Sequence, residues 1–97
     1  MKMEFALKNM HVKGSEISPF LEDKTSKLNK YFNGNLHARW TIVYEAEEHE
    51  AHLHATGNNF DFMGKSRAHN LYTAIEDAVD KVERQLLKHK EIIQSHK

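Results

Sequence analysis

The sequence predicts an α+β domain of two layers, in which two helices pack on one face of a four-stranded sheet. Two kinds of periodicity carry this prediction. Four short stretches alternate apolar and polar residues, as half-buried strands do. Two longer stretches repeat apolar residues at helical spacing. The predicted element order is β-α-β-β-β-α, and residues 1–97 are predicted to form one domain around one core, with no internal repeat.

The first strand and helix are predicted from the first third of the chain. Met3, Phe5 and Leu7 alternate with polar or small residues, which indicates a strand followed by a loop through Gly14. Ser18-Pro19 predicts a helix start, because serine is a good N-cap and proline suits the first helical position. The predicted inward positions of this helix are Leu21, Leu28 and Phe32, and its predicted end is Asn33-Gly34-Asn35.

Three more strands and a long helix follow. The predicted inward residues of the second strand are Ala38, Trp40, Ile42 and Tyr44, and those of the third are Ala51, Leu53 and Ala55. The acidic stretch 45–50 is predicted to be a loop or hairpin between them. Turn residues at 57–59 predict a second hairpin, whose returning strand starts with Phe60, Phe62 and Gly64. Residues 65–69 are predicted to form a polar linker. Asn70 is predicted to cap a helix to about Ile93, with one face formed by Leu71, Ile75, Ala78, Val82, Leu86 and Ile93.

Composition excludes several classes of protein. A content of 39% hydrophobic and 29% charged residues is typical of a globular protein. The sequence has no cysteine, which excludes disulfides and thiolate metal sites. Charges interrupt every apolar run near the N-terminus, and no stretch approaches the ~20 apolar residues that span a bilayer. We therefore expect a cytoplasmic protein without a membrane partner. The net charge is zero, so any nucleic-acid site must come from how the charges are distributed.

The last helix carries a predicted basic stripe. At ~100° per residue, Arg84 lies roughly opposite Ile75, with Lys81 and Lys88 within ~60° of it, whereas the acidic residues occupy another flank. On spacing alone, a solvated helix face with the i,i+4 ion pairs Asp77–Lys81 and Asp80–Arg84 is the favoured explanation, because a stripe of three cations is common. A binding surface remains the alternative.

The first helix adds further cations. Lys27 and Lys30 are predicted to point outward, and Lys24 lies near the edge of the apolar face. Two helices on one face of a sheet have adjoining outer surfaces. The five cations predicted to point outward would then share one surface, with Lys65 and Arg67 at one end. A phosphate backbone is the natural partner of such a surface.

Histidines offer a rival site. His52 and His54 lie on the same side of a strand and could chelate a transition metal, with His49 or Glu50 as a third ligand. The alternative is that they simply occupy an exposed strand face. No nucleophile elbow or Gly-rich phosphate loop is present. We therefore expect neither an enzyme nor a cofactor.

The last helix also carries a family resemblance. Residues 70–76 read NLYTAIE and residues 81–90 read KVERQLLKHK. This combination resembles the ribosome hibernation promoting factor and ribosome-associated inhibitor family, whose members combine Tyr-x-Ala-Ile-Asp with Arg-Gln-Leu-x-Lys at this separation. Looser similarities run through the rest of the chain, including Tyr31-Phe32 and the stretch from Ala51 to His54.

The resemblance implies a fold similar to double-stranded RNA-binding domains and a function in translation. Family members bind the small ribosomal subunit between head and body, over the messenger RNA and transfer RNA sites. They inhibit translation and preserve idle ribosomes under stress or in stationary phase. Basic residues of both helices contact ribosomal RNA. By motif position Arg84 and Lys88 correspond best, followed by Lys27, while Lys81, Lys30 and Lys90 are added on charge and geometry.

The resemblance also predicts a subclass. Long members append a C-terminal domain that pairs ribosomes, and inhibitor-type members have an acidic tail; this chain is expected to be a short hibernation-promoting form. Such a form would promote dimers of whole ribosomes only with a separate ribosome-dimerising factor. Two alternatives remain: a general module for double-stranded RNA, recognised by shape, and a metal-binding protein that uses the histidines.

Overall fold

The computed structural model describes residues 1–57 and 59–95, with side chains described up to residue 89. Its elements follow the predicted order, with a short 3₁₀ helix (Asn29–Phe32) after the first α-helix. The strands are β1 (Lys2–Lys8), β2 (His37–Glu45), β3 (Glu48–Gly57) and β4 (Phe60–Ala68), and the helices are α1 (Gly14–Ser26) and α2 (Leu71–Ser95). The predicted α+β fold is confirmed.

The four strands form one mixed sheet in the order β1-β2-β3-β4. β1 and β2 are parallel, and the two remaining pairs are antiparallel. The acidic connection between β2 and β3 is a tight hairpin, because Ala46 and Glu47 both adopt positive φ angles of 51° and 62°. Most of the predicted acidic connection therefore belongs to the strands.

The predicted start of the first helix was wrong. α1 begins at Gly14, its N-cap Lys13 makes no side-chain cap, and Pro19 lies inside the helix. The extra turn is explained by packing, because it brings Ile17 into the core one turn before Leu21, both fully buried. The helix also ends earlier than predicted, at Ser26, and the 3₁₀ helix completes the segment.

The predicted end of this helical region is confirmed. Asn33 adopts the left-handed conformation after the 3₁₀ helix, and Gly34 follows with φ +83°. The chain can therefore turn here and enter β2.

The predicted polar linker at residues 65–69 was also wrong, because β4 runs through Ala68. Gly64 and Ser66 are buried, whereas Lys65 and Arg67 are exposed. The inward residues are small because α2 lies directly over them. A strand with small inward residues lacks the apolar alternation that sequence patterns rely on.

The last helix starts as predicted. The Asn70 side-chain oxygen accepts hydrogen bonds from the backbone N–H groups of Tyr72 and Thr73, at 2.9 and 3.1 Å. The predicted apolar face is buried at Leu71, Ile75, Ala78, Val82 and Leu86. The side chains of Ile93 and Lys90 lie outside the described residues.

The core lies between the helices and one face of the sheet. Trp40, Leu53 and their strand neighbours are fully buried against Leu21 of α1 and Val79 of α2. The opposite face of the sheet, which we call the open face, carries the alternate residues of all four strands and is covered by neither helix. The molecule therefore presents two distinct surfaces: the outer side of the helices and the open face.

Candidate nucleic-acid interface

Arg84 and Lys88 form the most accessible basic pair of the helix surface. Both are exposed on the outer side of α2, one turn apart. Within residues 1–57 and 59–89, neither makes an ion pair or a hydrogen bond. The helix pairs expected for a merely solvated face, Asp77–Lys81 and Asp80–Arg84, do not form among these side chains. Both cations are therefore available to an anionic partner.

Lys81 lies on the side of α2 that faces β4. Its ammonium group donates a hydrogen bond to the backbone carbonyl of Lys65 at 2.6 Å, and Gln85, one turn later, donates to the carbonyl of Met63 at 2.7 Å. β4 is an edge strand, so these side chains occupy carbonyls that would otherwise be open to pairing. Lys81 is therefore a neighbour of Arg84 on α2 and also covers part of the exposed edge of β4.

The acidic flank of α2 faces the first helical region. The Lys27 ammonium lies 3.1 Å from Asp80 Oδ1 and 3.9 Å from Glu83 Oε1. The Tyr31 hydroxyl donates to Glu83 Oε2 at 3.4 Å. Burial, followed by the nearby Glu83 carboxylate, raises the pKa of Tyr31. Lys27 is thus already partnered by carboxylates.

Lys24 and Lys30 rest on aromatic rings. The Lys24 ammonium lies 5.4 Å from the centre of the Phe20 ring, and the Lys30 ammonium 5.3 Å from that of Tyr31. A ring face holds a cation weakly at exposed sites. Lys24 is half-buried, in agreement with its predicted position at the edge of the apolar face, and Lys30 is exposed.

Lys65 and Arg67 do not lie on the helix surface, in contrast to the prediction. Both are on the open face, because they alternate with the buried residues of β4. Arg67 Nε lies 3.0 Å from Glu48 and its Nη1 2.9 Å from Glu50, while Lys65 lies 3.4 Å from Glu50. The hydrogen bond to Glu48 raises the pKa of Arg67. The structure thus separates these two cations from those of the helices and pairs them with the acidic hairpin.

The three candidate metal-binding histidines do not converge. His52 and His54 share the open face, as predicted, but His49 has the opposite orientation and its Nδ1 lies 2.7 Å from the His69 carbonyl. His52 Nε2 instead contacts Glu50, and this hydrogen bond is the main cause that lowers the pKa of Glu50. Over the part of the chain that the structure describes, no three His, Asp or Glu side chains are grouped to hold a metal.

Sequence reasoning missed two features. One is the contact of Lys27 with Asp80 and Glu83, which depends on how the two helices are placed and has no local signal. The other is the grouping of Arg39 with two histidines on the open face, although strand alternation already placed Arg39 outward. No helix in the described part of the chain is long and apolar enough to cross a membrane.

The geometry is that of a four-stranded α+β domain that carries exposed cations on its second helix. The family model for the Sigma 54 modulation protein / S30EA ribosomal protein matches residues 4–94. The chain therefore belongs to this family.

Relatives and solved structures agree with that assignment. The chain is 31% identical over 74 residues to a ribosome hibernation promoting factor of Azotobacter vinelandii, a match over 74% of this chain and 67% of that protein. It is 29% identical over 87 residues to a factor of the same name from Klebsiella oxytoca, covering 84% and 90% respectively.

Two solved structures share the fold. The N-terminal domain of Thermus thermophilus Protein Y superposes with a TM-score of 0.81 at 22% identity, covering 92% of this chain and 99% of that one. A ribosomal subunit interface protein from Coxiella burnetii gives 0.81 at 11% identity, covering 94% and 99%.

Proposed function

We propose that this chain is a ribosome hibernation factor of the cytoplasm that binds the small ribosomal subunit and inhibits translation by occupying the messenger RNA and transfer RNA sites. Two relatives are named ribosome hibernation promoting factors, and the chain shares their family. The observation that carries the proposal is the exposed, unpaired state of Arg84 and Lys88 among the described side chains. These cations can bind ribosomal RNA phosphates without first breaking an internal ion pair.

The remaining helix cations extend the proposed interface. Lys81 adds charge beside Arg84, and Lys24, Lys27 and Lys30 approach from the first helical region. Lys27 contributes less than its charge suggests, because Asp80 and Glu83 already balance it. Lys65 and Arg67 are held by glutamates on the open face and are not part of this proposed surface.

Sedimentation with purified ribosomes tests the proposal. We expect the protein to sediment with small subunits and whole ribosomes, and a charge-reversed R84E/K88E variant to remain in the supernatant. Raising the salt from about 50 to about 200 mM should weaken wild-type binding steeply, because phosphate contacts release counterions. The neutral R84Q/K88Q variant should lower the slope of log affinity against log salt by about two.

A matched control separates the site from total charge. The K8E/K13E variant changes the net charge by the same amount through two exposed lysines away from the α2 stripe, and it should still bind. Continued sedimentation of folded R84E/K88E would refute the assignment of these residues. A sucrose gradient run with the separate dimerising factor would report ribosome pairing.

The alternative function as a general double-stranded RNA module is tested with the same protein. A plain RNA duplex in excess should leave the ribosome complex intact if the ribosome is the specific partner. Equal affinity for the duplex and for ribosomes would favour recognition of duplex shape alone.

A further inference from the structure

The open face contains a small polar depression. It has a volume of about 100 Å³ and is lined by His37 and Arg39 of β2 and by His54 and Thr56 of β3. His37 is the cross-strand partner of Thr56, and Arg39 that of His54, so the four side chains converge from two adjacent strands. The volume has room for several water molecules, and therefore for one tetrahedral oxyanion.

Permanent charges around the depression cancel. Arg39 Nε lies 3.3 Å from Glu4 Oε2, and Lys2 of β1 is the cross-strand partner of His37. Asp61 of β4 lies 2.5 Å from His54 Nε2. Two cations, Lys2 and Arg39, thus face two carboxylates, Glu4 and Asp61.

The next residues along the open face do not change this balance. Lys65 and Glu50 form an ion pair, and His52 contacts Glu50 rather than the depression. Farther along, Arg67 is held by Glu48 and Glu50. The charge of the depression is therefore set by two imidazoles, and it rises from zero to +2 when both are protonated.

His37 links protonation to the availability of Arg39. Among the residues that the structure describes, His37 Nε2 is shielded from solvent and has no hydrogen-bond partner, and it lies 3.7 Å from Glu4 Oε1. A protonated His37 attracts Glu4 and competes with Arg39 for the same carboxylate. The guanidinium group, which binds phosphate oxygens through a planar set of N–H donors, is then free to turn toward a ligand.

We propose that this depression binds a phosphate group, and that binding requires His37 and His54 to be protonated. Arg39 supplies the permanent donor and the two imidazolium rings supply the added charge. The Thr56 hydroxyl, whose contact with the His37 carbonyl is long at 3.4 Å, supplies a neutral donor. The site lies on the face of the sheet opposite Arg84 and Lys88, so it is independent of the proposed helix interface.

Sulfate is the probe of choice, because it has the shape of phosphate and keeps its charge over the pH range in which imidazoles titrate. We expect sulfate to shift the NMR signals of His37, Arg39 and His54 at about pH 5.5, with binding roughly tenfold or more weaker at about pH 8. The H37Q/H54Q and R39Q variants should lose binding. H52Q, a neighbouring histidine on the same face but outside the depression, should bind as the wild type does.

A second probe identifies the source of the phosphate. If a short single-stranded oligouridylate competes with sulfate at about pH 5.5, the site accepts nucleic-acid phosphodiesters. If sulfate binds and the oligonucleotide does not compete, the site takes free phosphate-type ligands. Both results support the site.

Three outcomes would overturn the proposal. They are the absence of sulfate-induced shifts at His37, Arg39 and His54 in the wild type at either pH, equal binding at both pH values, and an equal loss of binding in H52Q. Shift mapping on the wild-type protein keeps the test decisive even where a variant folds poorly. R84E/K88E should retain sulfate binding, so failure of the ribosome assay and failure of this site are distinguishable.

Discussion

At the scale of single residues, a buried hydrogen-bond chain joins the first helix to the sheet. Trp40 Nε1 of β2 donates to Thr25 Oγ1 at 3.0 Å, and the Thr25 hydroxyl donates to the Leu21 carbonyl at 2.5 Å. Trp40 and Thr25 are fully buried. Because the indole N–H is out of water, it needs this acceptor to avoid a desolvation cost.

Replacing Thr25 with valine should destabilise the protein by about 1–3 kcal/mol, because the isosteric side chain leaves the Trp40 N–H without its partner. Urea denaturation followed by fluorescence measures this directly, since Trp40 is the only tryptophan. Thr25→Ser keeps the hydroxyl and should cost less than the valine variant. A Thr25→Val protein as stable as the wild type would show that this hydrogen bond does not stabilise the fold.

The Trp40–Thr25 contact separates what the sequence could predict about a single side chain from what it could not. Alternation along β2 predicted that Trp40 points inward, because strand side chains have a period of two. Its partner could not be predicted, since Thr25 lies between two polar residues and nothing local marks it as buried. A threonine between polar residues is expected to face solvent, and only the packing of α1 on the sheet shows that Thr25 is buried.

At the scale of elements, α2 lies directly on β4 through a close approach at Gly64. A Cβ atom there would stand 2.4 Å from the Ala78 carbonyl oxygen and 2.9 Å from a Val82 methyl group. Both distances are shorter than van der Waals contact. The absence of a side chain at residue 64 therefore sets the distance between α2 and the outer strand.

Gly64→Ala should lower the free energy of unfolding by about 1–3 kcal/mol or more, because a rigid backbone carbonyl must move to admit the methyl group. Thermal or urea denaturation measures the loss. Ser66→Ala, also inward on β4, replaces a side chain with a smaller one and should cost less. A stable Gly64→Ala protein would mean that α2 can slide on the sheet.

The packing of the helices on the sheet explains which elements could be predicted from the sequence and which could not. Strands β1, β2 and β3 and the start of α2 carry large apolar residues or a clear cap, and their local patterns were sufficient. The errors fell where tertiary packing overrode local signals. The extra turn of α1 buries Ile17 despite the Ser18-Pro19 start signal. The start of β4 was predicted, but its continuation past Gly64 was missed because the next inward residue, Ser66, is small and polar.

At the scale of the whole molecule, the two helices do not present one continuous basic surface. Helical angles correctly placed Arg84 and Lys88 outward and the acids on another flank. They could not show that this flank faces Lys27, because the relative position of two helices is a tertiary property. Asp80 and Glu83 thus lie between the cations of the first helical region and those of α2. In this protein of zero net charge, the two carboxylates therefore weaken the attraction of the helix surface for phosphates.

Removing these two carboxylates should strengthen ribosome binding. In the D80N/E83Q variant, Lys27 is released and two repulsive charges beside Arg84 are lost. We expect several-fold tighter sedimentation with ribosomes at low salt and a steeper salt dependence, since one more lysine can neutralise a phosphate. The fold should tolerate the change: the Lys27–Asp80 pair is 43% and 48% exposed, and exposed pairs contribute little to stability. The amide oxygen that E83Q introduces can still accept the Tyr31 hydrogen bond.

The control for this prediction changes the same net charge elsewhere. Glu45 and Glu47 are exposed in the β2–β3 hairpin, and Arg67 reaches the Glu45 backbone rather than its carboxylate. If E45Q/E47Q tightens binding as much as D80N/E83Q does, total charge governs the affinity and the position of the acids is irrelevant. If only D80N/E83Q tightens it, the helix surface is the interface, and the carboxylates between the helices restrain its affinity for the ribosome.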